Sequence, residues 1–136
     1  DCYNASPVSL QDAALCFAEQ CPSGAGGRVW VLGTFGELGA DAARWHEQAG
    51  RALPVGAGDR ALLVGPEPMT AALAHGLRAA GLPAVAIQAG PDVAAVAAAL
   101  AATEGPIFLK GSRMHRLEIL LPAAFPPDLS HVVVSG

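Results

Sequence analysis

Apolar residues fall in short runs separated by Ala-rich segments, and Gly or Pro stands at most of the junctions. Runs at 28–32, 60–64, 83–87 and 106–109 are nearly continuous in apolar character, the pattern of strands covered on both faces. A final run at 131–134 ends in three consecutive valines and has the same β-branched flavour. Helices are predicted between these runs, over 7–20, 40–53, 68–80, 91–102 and 114–121. Ser6 followed by Pro7 reads as an N-cap and a first helical position. The 40–53 helix carries Trp45 and Leu53 among polar residues, with Asp41 in its first turn. Met69, Leu73 and Leu77 recur at four-residue spacing on one helix face, and Gly81 and Pro83 stop that helix. Val93, Val96, Ala97 and Leu100 repeat the pattern in the next one.

Strand and helix thus alternate at intervals of about 25 residues, which predicts an α/β fold. The expectation is a single Rossmann-like domain, a mostly parallel sheet with helices on both faces. Residues 22–27 read as a flexible turn, not a domain linker. One feature breaks the pattern: the first helix follows no strand, so a first strand is missing. Its absence would leave a slot of unpaired backbone groups. Either residues upstream supply that strand in the natural protein, or the run at 131–134 compensates, pairing with the sheet edge or the slot. It can come from its own chain or a neighbour's, the second case giving a strand-swapped dimer.

Composition narrows the function classes. Of the 136 residues 52% are hydrophobic and 15% charged, which suits a packed domain and not a disordered chain. A net charge of −4 and 5% aromatics supply neither the electrostatic footprint nor the stacking platforms of a nucleic-acid binder. No apolar run of ~18 residues free of Gly and Pro predicts a membrane span. Cys2, Cys16 and Cys21 are odd in number and match no metal-ligand spacing, so they read as reduced thiols of a cytosolic protein. There is no basic stretch leading into an apolar one, so no secretory signal is expected. The chain begins Asp-Cys-Tyr-Asn without an initiator Met, as a piece of a longer chain would.

Ligands of open α/β sheets gather beyond the carboxyl ends of the strands, and three polar segments fall in such places. Residues 1–7, Asp-Cys-Tyr-Asn-Ala-Ser-Pro, precede the first helix. Asp1 has the chemistry to accept two sugar hydroxyls, while Asn4 and Ser6 equally suit helix capping. Residues 33–39, Gly-Thr-Phe-Gly-Glu-Leu-Gly, follow the Trp30 run. Three glycines there allow a tight turn and close approach of a ligand, and Glu37 suits an ammonium or a helix N-terminus. His46, in the helix that follows, reads as a structural hydrogen-bonding group, and His75, His115 and His131 have no arranged partners. Residues 110–113, Lys-Gly-Ser-Arg, follow the Phe108 run. Lys110, the only lysine, lies with Arg113 and Arg116 within seven residues, three of the eight cations. A Gly-Ser turn opening a helix offers free N–H groups to an anion, or Ser112 simply caps a solvated basic face. No G-x-x-x-x-G-K-[ST] occurs, and Gly24-Ala25-Gly26-Gly27 precedes a strand instead of following one.

The three segments together resemble the C-terminal domain of the Mur ligases. Residues 1–7 are close to a D-x-Y-N-A-N-P signature. Residues 32–39, with His46 and Gly50, are similar to an L-G-D-M-x-E-L-G…H…G block. Residues 109–114, with Leu117 and Glu118, resemble a V-K-G-S-R-x-M-x-M-E ending. The resemblance covers 1–121, leaving 122–136 as a tail with a possible extra strand. Sister ligases and folylpolyglutamate synthase usually carry His near the Asn4 position, which favours the branch that adds D-alanyl-D-alanine. Ser6 stands where the family usually has Asn, and Thr34 where it usually has Asp; Ser6 can still cap, whereas Thr34 removes a carboxylate and argues against a substrate role at that position.

The resemblance implies a cytoplasmic, ATP- and Mg2+-dependent ligase of peptidoglycan synthesis, joining D-alanyl-D-alanine to UDP-N-acetylmuramoyl-tripeptide. It implies that Asp1, Tyr3 and Asn4 face the nucleoside. It also implies that Lys110, Ser112 and Arg113 line the interdomain cleft, toward a phosphate or the dipeptide carboxylate. It assigns no catalytic or metal-binding residue to this stretch. Lacking a P-loop, the chain alone is expected to hold no cofactor and to catalyse nothing. The competing reading is a stand-alone Rossmann-like binding or interaction module.

Overall fold

The structure is a computed structural model that describes residues 7–22, 27–36, 39–102, 105–111 and 132–135, with 7–8 and 132–135 described by backbone alone. Strands β1 (Val29–Gly33), β2 (Arg60–Val64), β3 (Ile87–Gly90), β4 (Ile107–Lys110) and β5 (Val132–Ser135) form one sheet. Its order is β3-β2-β1-β4-β5, and every neighbouring pair is parallel. Helices α1 (Pro7–Gln20), α2 (Ala42–Arg51), α3 (Met69–Ala79) and α4 (Val93–Ala101) connect or flank the strands. The α/β, Rossmann-like architecture is therefore as the alternation of the sequence predicts.

Strand alternation sorts the core into two layers. Trp30, Leu32, Ala61, Leu63 and Phe108 point to one face, where Leu10, Ala14 and Phe17 of α1, Ala49 of α2, and Leu73 and Leu77 of α3 cover them. Val29, Val31, Leu62, Val64, Ile107 and Leu109 point to the other, covered by Val96 and Leu100 of α4. Phe17, Trp30 and Phe108 meet as a three-ring cluster with centroids 5.1–5.5 Å apart.

The end of α3 shows how local chemistry sets a boundary. Gly81 adopts φ +113°, and its N–H donates to Arg78 O while Leu82 N–H donates to Leu77 O, both at 3.0 Å. This is a Schellman stop, with Leu82 buried beside the helix it ends. Likewise Asp92 caps α4 by accepting from Ala95 N–H at 3.1 Å.

The third strand departs from its predicted span. Residues 84–86 form a short 3-10 turn closed by Ala86 N–H to Pro83 O, and the strand starts only at Ile87. Apolar character alone placed it too early. The chain leaves the Schellman turn below the level at which β2 can pair, and Ala61↔Ile87 is the first register pair. As an edge strand β3 is also not covered on both faces: Gln88 and Ala89 are exposed, and Val85 ahead of it is 94% exposed.

The tail run forms β5, one residue later than predicted, and pairs within the chain against β4. It therefore takes the sheet edge. Among the described residues no strand precedes α1, and β1 has partners on both sides. The predicted helix over 114–121 lies outside the described residues, as do Cys2 and His131. Cys16 and Cys21 are free thiols. Among the described residues no helix is long and apolar enough to cross a membrane.

Candidate functional site

From β1 the chain steps to β2 and β3 on one side, and β4 returns on the other. The order thus reverses between β1 and β4, and the crevice beyond their carboxyl ends is the topological switch point. Register aligns Leu32 with Lys110 there, so the 33–36 segment that ends β1 and the Lys110-Gly111 end of β4 emerge side by side. Two of the three polar segments are brought together in this way, although they lie far apart in the chain. The first segment, with Asp1, Tyr3 and Asn4, lies outside the described residues, as do Glu37, Ser112 and Arg113.

Lys110 ends β4 on the Phe108 side of the sheet and is only 1% exposed in the domain. Thr34 is also buried, its N–H donating to Val64 O at 2.9 Å. Its side chain fills the space beside Gly65, whose φ of +143° and lack of a Cβ let β1 and β2 end in contact. At this position the residue packs the ends of the two strands together.

The β1 loop is anchored by His46. Phe35 N–H donates to His46 Nε2 at 2.8 Å, and His46 Nδ1 lies 2.6 Å from Ala42 O. Nε2 must accept, so Nδ1 carries the proton and donates; both contacts are satisfied only by the neutral Nδ1–H tautomer. Phe35 stacks on the imidazole at 5.2 Å and 25°. Burial lowers the His46 pKa from the ordinary 6.5, against a smaller upward pull from the Ala42 carbonyl. His46 is thus the structural hydrogen-bonding group the sequence suggested, but its partner in the loop was not legible.

A pH dependence follows. A histidine with a depressed folded pKa binds its proton more readily when unfolded, so its contribution is complete above pH 6.5 and is lost as pH falls through the folded value. Urea midpoints measured between pH 8 and 5 are expected to fall from about 6.5 downward. His46→Gln should flatten that slope; an unchanged slope would assign the titration elsewhere.

One strand away, a cleft of about 480 Å³ opens at the ends of β2 and β3, lined by Pro66, Thr70, Ala71, Ala74 and Pro91. Its wall is mainly apolar, and among the described residues the charged group lining it is Glu67, an acid. Among the described residues no group of three or more His, Cys, Asp or Glu side chains is arranged to hold a metal ion.

The profile of the Mur ligase glutamate ligase domain matches residues 1–113. The chain belongs to the Mur ligase family. Among solved structures it is similar to crystal structure II of MurF from Acinetobacter baumannii, at 30% identity and a TM-score of 0.68. That likeness covers 88% of this chain and 26% of the MurF chain, so the chain spans about a quarter of the enzyme it matches. No curated protein matches it. The matched stretch includes the segments of Asp1, the β1 loop and Lys110.

Asp59 and Gly65 stand outside the three polar segments. Asp59 stands one residue before β2 and Arg28 one residue before β1. Opposite charges at the same step of two parallel strands were the available signal. Gly65, directly after the second apolar run, was another.

Proposed function

We propose that the chain is the C-terminal domain of an ATP-dependent ligase that adds D-alanyl-D-alanine to UDP-N-acetylmuramoyl-tripeptide in cytoplasmic peptidoglycan synthesis. The observation that carries this reading is the 30% identity to a MurF structure over 88% of the chain. The order of the three polar segments supports it. We assign the domain to 1–121 and treat 122–136 as a tail that adds β5.

In this reading ATP activates the tripeptide carboxylate on domains outside this chain, and the dipeptide amine attacks the activated carbonyl. Asp1, Tyr3 and Asn4 contact the nucleoside, with Asp1 on the ribose hydroxyls. Lys110, Ser112 and Arg113 belong near the interdomain cleft, where positive charge attracts a phosphate or the dipeptide carboxylate, Lys110 from beneath the domain surface. The chain has no P-loop, and its described residues offer no Mg2+ cluster. Its part is to bind and orient.

The test is Arg113→Ala in the ligase that carries this domain. Turnover or substrate saturation should be impaired about tenfold or more while the melting temperature stays nearly unchanged. A large fall in melting temperature with normal kinetics would assign Arg113 to structure instead. Residues 1–136 alone should release no phosphate from ATP with the dipeptide present, and release by the purified chain would refute the division of labour.

A further inference from the structure

Phe35 is the second residue after β1, at the strand end where the sheet order reverses, and both its ring and its amide are buried. Its N–H does not continue the ladder to β2, which ends with Thr34 N–H to Val64 O. Without a partner it would be a buried orphan donor. The partner is a side chain from α2, 11 residues on. That ring is held in turn by its own helix through Ala42 O and by the stack with Phe35. Three contacts on one imidazole therefore fix where the backbone leaves β1, next to the Lys110-Gly111 end of β4.

We propose that His46 is a positioning residue for the ligase site: its Nε2 holds the Phe35 amide and thereby sets the 33–36 loop against the Lys110 end of β4, so that dipeptide saturation depends on this bond. The role rests on the reading of the switch point as the substrate cleft. It concerns geometry, and His46 itself touches no reacting atom.

Two variants separate positioning from mere packing. His46→Asn keeps an amide near the Nδ1 position but is too short to reach Phe35. His46→Gln extends an amide oxygen to about where Nε2 lies. In the full ligase, His46→Asn should raise the KM for D-alanyl-D-alanine about five- to tenfold, the worth of one buried hydrogen bond. kcat should change less, and His46→Gln should recover most of the loss. Equal kinetics in both variants, with only a lowered melting temperature, would overturn the proposal.

A second measurement on residues 1–136 does not depend on the ligase reading. Nitrogen NMR of the labelled chain should show His46 protonated at Nδ1, with a scalar coupling across the Phe35 N–H···Nε2 bond. The Phe35 amide should exchange with solvent faster in His46→Asn than in His46→Gln. Absence of the coupling, or equal exchange in the two variants, would overturn the positioning role. A wild-type ligase that does not use D-alanyl-D-alanine would instead refute the proposed function.

Discussion

Replacing Asp59 with Ala should cost about 3–5 kcal/mol of folding stability, the usual penalty for removing one partner of a buried ion pair. For a domain of this size that corresponds to a melting temperature lower by roughly 10–20 °C. The magnitude follows from how many groups the carboxylate serves. Arg28 Nη2 lies 2.7 Å from Asp59 Oδ2, and its Nε donates to both oxygens at 3.1 Å. Trp30 Nε1 and Gly56 N–H each donate to Oδ2 at 2.9 Å. Arg28 also donates to Cys21 O and Pro54 O. Removing the carboxylate leaves the indole N–H buried without its acceptor, the part-buried Gly56 amide without its own, and the guanidinium charge with only the Cys21 and Pro54 carbonyls. Asp59→Asn keeps the shape and one acceptor oxygen, and should lose less than Asp59→Ala. The measurement is thermal and urea denaturation of the purified chain. A melting temperature within a few degrees of wild type would mean that the network is satisfied by water in solution.

The second large effect concerns a glycine contact between α2 and α3. An added Cβ at Gly50 would stand 2.6 Å from Leu73 O and 3.0 Å from Leu77 N. One at Gly76 would strike Glu47 O and stand 2.8 Å from Arg51 N. Both obstacles are backbone, which cannot rotate away as a side chain can. In an ordinary helix interior Gly→Ala gains up to about 1 kcal/mol. Here the sign should reverse: Gly76→Ala is expected to destabilise by about 1–3 kcal/mol, and Gly76→Val by more, because the helices must separate. The separation would be felt beyond the crossing, since α2 carries His46 and hence the loop after β1. Urea midpoints and the protection of the Phe35 amide read both effects. A Gly76→Ala chain as stable as wild type would show that the helices can move apart at no cost.

The outer side of the same pair illustrates the opposite case. Glu47 accepts from Arg51 Nη2 at 2.9 Å and lies 2.8 Å from His75 Nδ1, which lowers its pKa chiefly through the His75 hydrogen bond. These groups sit at the surface, where water screens them and they contribute little to stability. Geometry alone would rank this cluster with the Arg28–Asp59 pair, and burial separates them.

Much of the fold could be read along the chain because its determinants are local. Periodicity of apolar residues is a property of windows of a few turns, so the helices 7–20 and 68–80 and the strands at 28–32 and 60–64 were legible within a residue or two. Caps and stops are equally local, as Gly81 and Pro83 demonstrate. The start of the third strand was not legible, because register against β2 decides it. The three polar segments could be located, and their resemblance to one family recognised, for the same reason: each is a contiguous stretch.

What the sequence determined by itself is therefore the α/β alternation, the faces of the helices, the β-branched tail and the identity of the segments with chemistry. Tertiary structure alone decided the order β3-β2-β1-β4-β5, and with it the meeting of the 33–36 loop with Lys110. It also decided that Asp59 joins Arg28 from 31 residues away, that His46 belongs to Phe35, and that Gly76 lets α3 lie against α2. The reason is physical. A run of apolar residues states which face it must bury but not which neighbour will cover it, and that choice is made only when distant strands pack into one sheet.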